Sequence, residues 1–244
     1  MLIDKEKCIG CEKCHPYCPV GAIATIEWEG GMISAIDQEA CVECGTCNER
    51  SRICPVEAIY MPELKWPRVI REYFSNPNAS HPSTTTQGRG TEEMKTNDVT
   101  GRYTPGVAGV GLEMGRPGIG TSFRDIQAVA VALAGLGVEF EENNPVSALM
   151  DDSNAGIFNP AVLDEKVLSA ILEFKISTDR LGEVLQAIKK VAVQIDTVFS
   201  LDLISRVEDD GSIPVIPIAE AAGFSVRPNC KTNVGLGRPL FEEA

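Results

Sequence analysis

Cys8, Cys11, Cys14 and Cys18 stand in the order C-x2-C-x2-C-x3-C-P, closed by Pro19, and Cys41, Cys44, Cys47 and Cys54 follow as C-x2-C-x2-C-x6-C-P, closed by Pro55. Thiolates are soft anionic ligands, so eight of them in two tight runs point to metal chemistry. Three sulfurs at two-residue spacing can wrap three irons of one iron–sulfur cubane, and the turn at each Cys-Pro carries the fourth sulfur away to a second cubane. Zinc is the competing occupant of a cysteine quartet, but three-cysteine runs closed by Cys-Pro favour the cubane. The flanks repeat too. Ile3-Asp4 precedes Cys8 as Ile36-Asp37 precedes Cys41, and Pro19-Val20-Gly21-Ala22-Ile23 is echoed by Pro55-Val56-Glu57-Ala58-Ile59. The segment is an internal duplication.

Residues 1–62 resemble the bacterial two-cluster ferredoxins. The resemblance implies two [4Fe-4S] clusters and a small pseudo-twofold fold of two hairpins and short helices. It also implies ligation that crosses between the halves, with Cys8, Cys11, Cys14 and Cys54 on one cluster and Cys41, Cys44, Cys47 and Cys18 on the other. In the family the clusters lie close enough for fast electron exchange. This chain departs from the pattern by three extra residues before Cys54, within Asn48-Glu49-Arg50-Ser51-Arg52-Ile53. They enlarge the loop near the first cluster and leave the ligand set intact. His15 lies inside the first run, but four thiolates are already present, so it is expected beside the cluster rather than on it.

The rest of the composition bounds the setting. With 35 acidic and 22 basic residues the formal charge is -13, and two all-thiolate clusters would bring it to roughly -17. That balance argues against nucleic acid and anionic membrane as partners. No run approaches the roughly 18 apolar residues of a membrane span, and Met1-Leu2-Ile3-Asp4-Lys5 has no long apolar stretch after it. The expectation is a cytoplasmic protein in a compartment that keeps thiols reduced. Oxygen-sensitive cubanes suggest an anaerobe. With 43% hydrophobic residues and a mean hydropathy of -0.02, the remainder of the chain can bury a core.

Three segments are expected: the cluster module at 1–62, a docking helix with a polar loop at 63–104, and an α+β domain at 105–244. Pro67 suits a first helical position before Arg68-Val69-Ile70-Arg71-Glu72-Tyr73-Phe74. The stretch from Asn76 to Arg102 is rich in hydroxyls, glycine and arginine, and reads either as a flexible linker or as a loop offering Arg89 and Arg102 to an anion. From residue 105 a strand at 107–114, a helix from about Phe123 to Leu136 and a strand around 138–140 are followed by a strand at 168–176, a helix from Asp179 to Ala192 and a strand at 197–204. Leu181, Val184, Leu185, Ile188 and Val191 form a helical stripe, and Asp179 can cap it. Two β-α-β units in tandem predict a sandwich with a four-stranded antiparallel sheet, the architecture of ferredoxin-like and ACT-like domains. ACT-like modules commonly dimerise and bind small metabolites, which makes a homodimer through this domain an expectation.

Outside the clusters the chemistry is less determined. Glu113-Met114-Gly115-Arg116-Pro117-Gly118-Ile119-Gly120-Thr121 places a glycine-rich turn before a helix, with Arg116 and Arg124 close by, and Gly237-Arg238-Pro239 repeats the Gly-Arg-Pro. These glycines either make turns or help Arg116, Arg124 and Arg238 hold a small anionic metabolite. Cys230, the ninth cysteine, is either an inert small hydrophobe or a reactive thiol whose pKa Lys231 could lower. No Walker lysine and no GxGxxG after a strand is present. The leading expectation is therefore an electron-transfer protein or subunit that relays low-potential electrons to a redox partner. The alternative is an iron–sulfur oxidoreductase or sulfur-transfer enzyme subunit that uses Cys230.

Overall fold

In the first sixty residues the backbone curls where it adopts left-handed angles. Gly10 and Glu12 have φ of 65° and 56°, and their counterparts Glu43 and Gly45 have 55° and 70°. These turns reverse the chain between successive cysteines. The structure, a computed structural model, describes residues 1–83, 87, 101–116 and 118–227. Strand β1 (Leu2–Ile3) pairs antiparallel with β4 (Ile59–Tyr60), while β2 (Ile23–Trp28) and β3 (Gly31–Ile36) form a hairpin. Glu29 and Gly30, both at positive φ, make its two-residue turn, as the right-handed twist of a tight hairpin requires.

The duplication read from the sequence is repeated bond for bond. Asp4 N–H donates to the Ala58 carbonyl at 2.8 Å as Asp37 N–H does to that of Ala22, also at 2.8 Å. The Asp4 and Asp37 carbonyls accept from Cys8 and Cys41 respectively, each at 3.0 Å. Each aspartate side chain then caps the next turn, accepting from Glu6 N–H at 3.1 Å in one half and from Glu39 N–H at 2.8 Å in the other. The three extra residues are absorbed where a short 3-10 turn, His15–Tyr17, is replaced by a single π turn, Thr46–Arg50.

Helix α1 (Val69–Ser75) begins two residues after Pro67, so that proline lies in the turn leading into the helix rather than at its first position. Ile70 and Phe74, one turn apart, are 1% exposed and enter the large hydrophobic core. That core is built on β5 (Val107–Met114). After it come β6 (Thr121–Ser122), α2 (Phe123–Ala134), β7 (Glu139–Phe140), β8 (Met150–Asp152), β9 (Ile157–Phe158), β10 (Lys166–Val167), β11 (Ala170–Ser177), α3 (Leu181–Ala192), β12 (Phe199–Ile204) and α4 (Val215–Ala221). The main sheet has the order β12-β5-β11-β7, antiparallel throughout. This is the α+β sandwich expected from the tandem β-α-β pattern, with an insertion of short elements between β7 and β11.

Alternation on the strands decides the layers. Ala108, Val110, Leu112 and Met114 of β5 and Ala170, Leu172 and Phe174 of β11 are almost fully buried, packed with the stripe Leu181, Val184, Leu185, Ile188 and Val191. Asp179 does not cap α3; it lies inside a 3-10 turn, Thr178–Arg180, that leads into the helix, and α3 has no side-chain cap. A separate small core gathers Met1, Ala22, Ile23, Ile59 and buried cysteines. Among the described residues no helix is long and apolar enough to cross a membrane.

Candidate metal centre

The curled runs bring the cysteines into two groups. Cys8, Cys11 and Cys14 line one cavity together with Cys54 from the second run. Cys18 is instead a near neighbour of Cys41 and Cys47. Amides are aimed at the sulfurs. Ala22 N–H donates to Cys18 Sγ at 3.1 Å and its counterpart Ala58 N–H to Cys54 Sγ at 3.2 Å, while Ser34 N–H donates to Cys8 Sγ at 3.4 Å. His15 Nε2 is 2.9 Å from Ser34 Oγ, so His15 sits one residue removed from the sulfurs.

The two groups differ in setting. In the first Cys11 is exposed, Cys8 and Cys54 are half-buried and Cys14 is buried, whereas in the second Cys41, Cys44 and Cys47 are buried and Cys18 is half-buried. Burial raises the Cys14 thiol, against a lowering hydrogen bond from Ser34. It pushes Cys47 up to about 12, with Cys44, Cys41 and Cys18 adding to the rise. Cys41 is likewise raised by burial, but the Met1 ammonium, Arg68 and Arg71 pull it back. Thiols held so high ionise only when a strongly positive centre compensates, and iron supplies that compensation. Among the described residues no three His, Cys, Asp or Glu side chains are grouped so as to hold a single metal ion.

Around Cys41 lies a charged lattice that sequence reasoning missed. Glu43, fully buried, accepts from Arg68 Nε at 2.8 Å and pairs with the Met1 ammonium. Arg68 also donates to the Gln38 carbonyl at 2.9 Å. Arg71, 4% exposed, donates to the carbonyls of Gln38, Glu39 and Cys41 at 3.0, 3.1 and 2.8 Å, and pairs through Nε with Glu165. Only the two arginines and the tandem runs were visible beforehand; partners up to 94 residues apart were not.

The other candidate residues are spread over separate contacts. Arg102 pairs with Glu141, Arg116 with Glu113 at 3.6 Å and Arg124 with Asp164 at 2.7 Å, so no two of these guanidiniums share a carboxylate among these pairs. In the glycine-rich turn, the Ile119 and Gly120 amides both donate to the Gly115 carbonyl. At the start of α2, Asp125 N–H donates to Ser122 Oγ, while Phe123 and Arg124 N–H donate to the carbonyls of Glu165 and Leu163. These amides are spent within the fold, which supports turn-making glycines over an anion cradle. Arg89, Cys230 and Arg238 lie outside the described residues. Glu173, 2% exposed, is bonded by Asn144 Nδ2 at 2.5 Å. His81, 3% exposed, packs on the Tyr73 and Phe74 rings; its Nδ1 lies 2.7 Å from Ser83 Oγ, and burial lowers its pKa to about 4.

Two cysteine quartets beside one hairpin and a closing pair of terminal strands define an iron–sulfur electron-transfer protein carrying two [4Fe-4S] clusters, which supply one-electron redox capacity when bound. Residues 1–61 match the family described as a 4Fe-4S dicluster domain. An uncharacterized ferredoxin of Methanocaldococcus jannaschii is 38% identical over 65 residues, 27% of this chain and 80% of that protein. The pyruvate synthase subunit PorD of Thermotoga maritima is 39% identical over 66 residues, 27% of this chain and 61% of that one. A component of an ion-translocating oxidoreductase complex from Methanosarcina acetivorans is 48% identical over 52 residues, 21% of this chain and 17% of its own length. Through its first 61 residues the chain belongs to the dicluster ferredoxin family. No solved structure matches.

Proposed function

We propose that this chain relays low-potential single electrons to a partner redox enzyme, in the cytoplasm, with residues 1–62 as the redox unit, 63–104 as its connection and 105–244 as a unit that docks the partner, pairs with a second copy or holds a small anionic metabolite. Cys8, Cys11, Cys14 and Cys54 hold one cluster and Cys41, Cys44, Cys47 and Cys18 the other. The observation that carries this reading is the presence of Cys54, from the second run, in the cavity of Cys8, Cys11 and Cys14. The names of two relatives, a pyruvate synthase subunit and a component of an ion-translocating oxidoreductase complex, support service to a larger redox assembly.

The test is anaerobic purification, iron and sulfide quantification, and reductive titration followed by EPR, with and without small carboxylates and phosphates. About eight irons per chain and two one-electron steps are expected. Fewer irons overturn the ligand sets. Potentials that move with an added anion assign the second unit to metabolite binding, and potentials that stay fixed assign it to docking.

A further inference from the structure

Quartet two faces a sharper electrostatic problem than quartet one, in which Cys14 alone is buried. Three cysteines of quartet two are buried, and a poorly solvated cluster resists the extra negative charge that reduction brings. Quartet one, with Cys11 exposed and the exposed Lys13 at its cavity, has water to spread that charge. Arg71 stands where quartet two needs a cation. Its Nη1 is 2.8 Å from the carbonyl of Cys41 itself and within 3.1 Å of the two carbonyls flanking that turn, and the side chain is 4% exposed, so salt screens it little. Its counterion comes from the other unit. Glu165 precedes β10, and its backbone carbonyl accepts the Phe123 N–H that starts α2.

We propose that Arg71 raises the potential of the cluster held by Cys41, Cys44, Cys47 and Cys18, and that Glu165, on the second unit, sets how much of that effect the cluster feels. The two residues form an electrostatic handle by which the second unit controls the division of an electron between the clusters. Arg68 is held differently, by Glu43 and Gln38 within the redox unit, and provides a fixed background. Arg71 and Glu165 are positioning residues, acting through the cluster's field rather than on its iron.

The proposal rests on the ligand sets given above, and the iron count of the unmodified protein tests those separately. The experiment is a reductive titration of the anaerobic holoprotein by EPR, with each potential assigned through the hyperfine-shifted cysteine β-proton signals in NMR. Glu165→Gln, which keeps the shape and removes the counterion, is expected to raise one potential alone, with a tenfold change in electron partition, or about 59 mV for a one-electron couple. Replacing both residues by methionine avoids stranding a buried carboxylate and should move the same potential downward. The moving signals should belong to Cys41, Cys44, Cys47 and Cys18. If Glu165→Gln leaves both potentials in place, or if the signals that move belong to Cys8, Cys11, Cys14 and Cys54, the proposal is wrong. Should the double variant fail to retain iron, Glu165→Gln alone decides.

Discussion

The two halves of the redox unit share a backbone and spend their side chains differently. Two residues after its first cysteine, one half has Gly10 and the other Glu43, both at positive φ. Gly10 is there because nothing larger fits: a Cβ at that point would lie 2.1 Å from the Met32 carbonyl oxygen. Glu43 occupies the same turn with space for a buried carboxylate, which organises Arg68. Duplication supplied the geometry of cluster binding, and divergence at single positions gave one half a path to water and the other a path to the rest of the protein.

The largest break in that comparison is expected from exchanging the crossing ligands. Cys54→Ser should empty the site of Cys8, Cys11 and Cys14, leaving roughly four irons, while Cys18→Ser should empty the opposite site; iron analysis and the surviving EPR signal distinguish them. If either variant lost both clusters equally, the two halves would be one cooperative site. Next in size, Gly10→Ala should cost about 3 kcal/mol or more from backbone collision and strain together. Gly21→Ala, with the same sign of φ and nothing within 4 Å of an added Cβ, should cost about 1 kcal/mol; chemical denaturation compares the two.

Glu43→Gln leaves Arg68 and the Met1 ammonium without their shared anion and should cost about 3 kcal/mol, read as a lower melting temperature, while no counterpart exists at Gly10 to disturb. The smallest effect on the clusters should come from His81, which serves neither half. Its folded pKa of about 4 lies below the ordinary 6.5, so the unfolded chain takes up a proton that the folded chain refuses. Stability should therefore fall as pH drops from 6.5 toward 4, by about 2–3 kcal/mol in total. His81→Phe should flatten that slope and leave both potentials where they were; a shifted potential would tie His81 to the redox unit after all.

What could be read in advance was whatever local spacing encodes. The cysteine runs, their flanks and the duplication were legible because a cluster imposes its geometry on a few neighbouring residues. Val107–Met114 and the stripe of α3 were legible because a long, one-sided apolar pattern admits a single period. Helix α4 and the insertion between β7 and β11 were not, being runs of two to seven residues whose patterns carry too few positions to show a period. The cap assigned to Asp179 failed because the chain enters α3 through a 3-10 turn, which uses that residue inside the turn. Nor could the sequence disclose the pairing of Arg71 with Glu165: charged residues read as surface by default, and only folding brings these two together inside.

Helix α1 has a further consequence. Ile70 and Phe74 are fixed in the large core while Arg71 is held by the backbone of residues 38–41, the turn that leads into quartet two. Oxidative loss of that cluster would release the turn, remove three acceptors from a buried guanidinium and leave its charge against the large core. Damage at the iron would thus be felt as a loosening of a region that binds no iron, exposing α1 to proteolysis.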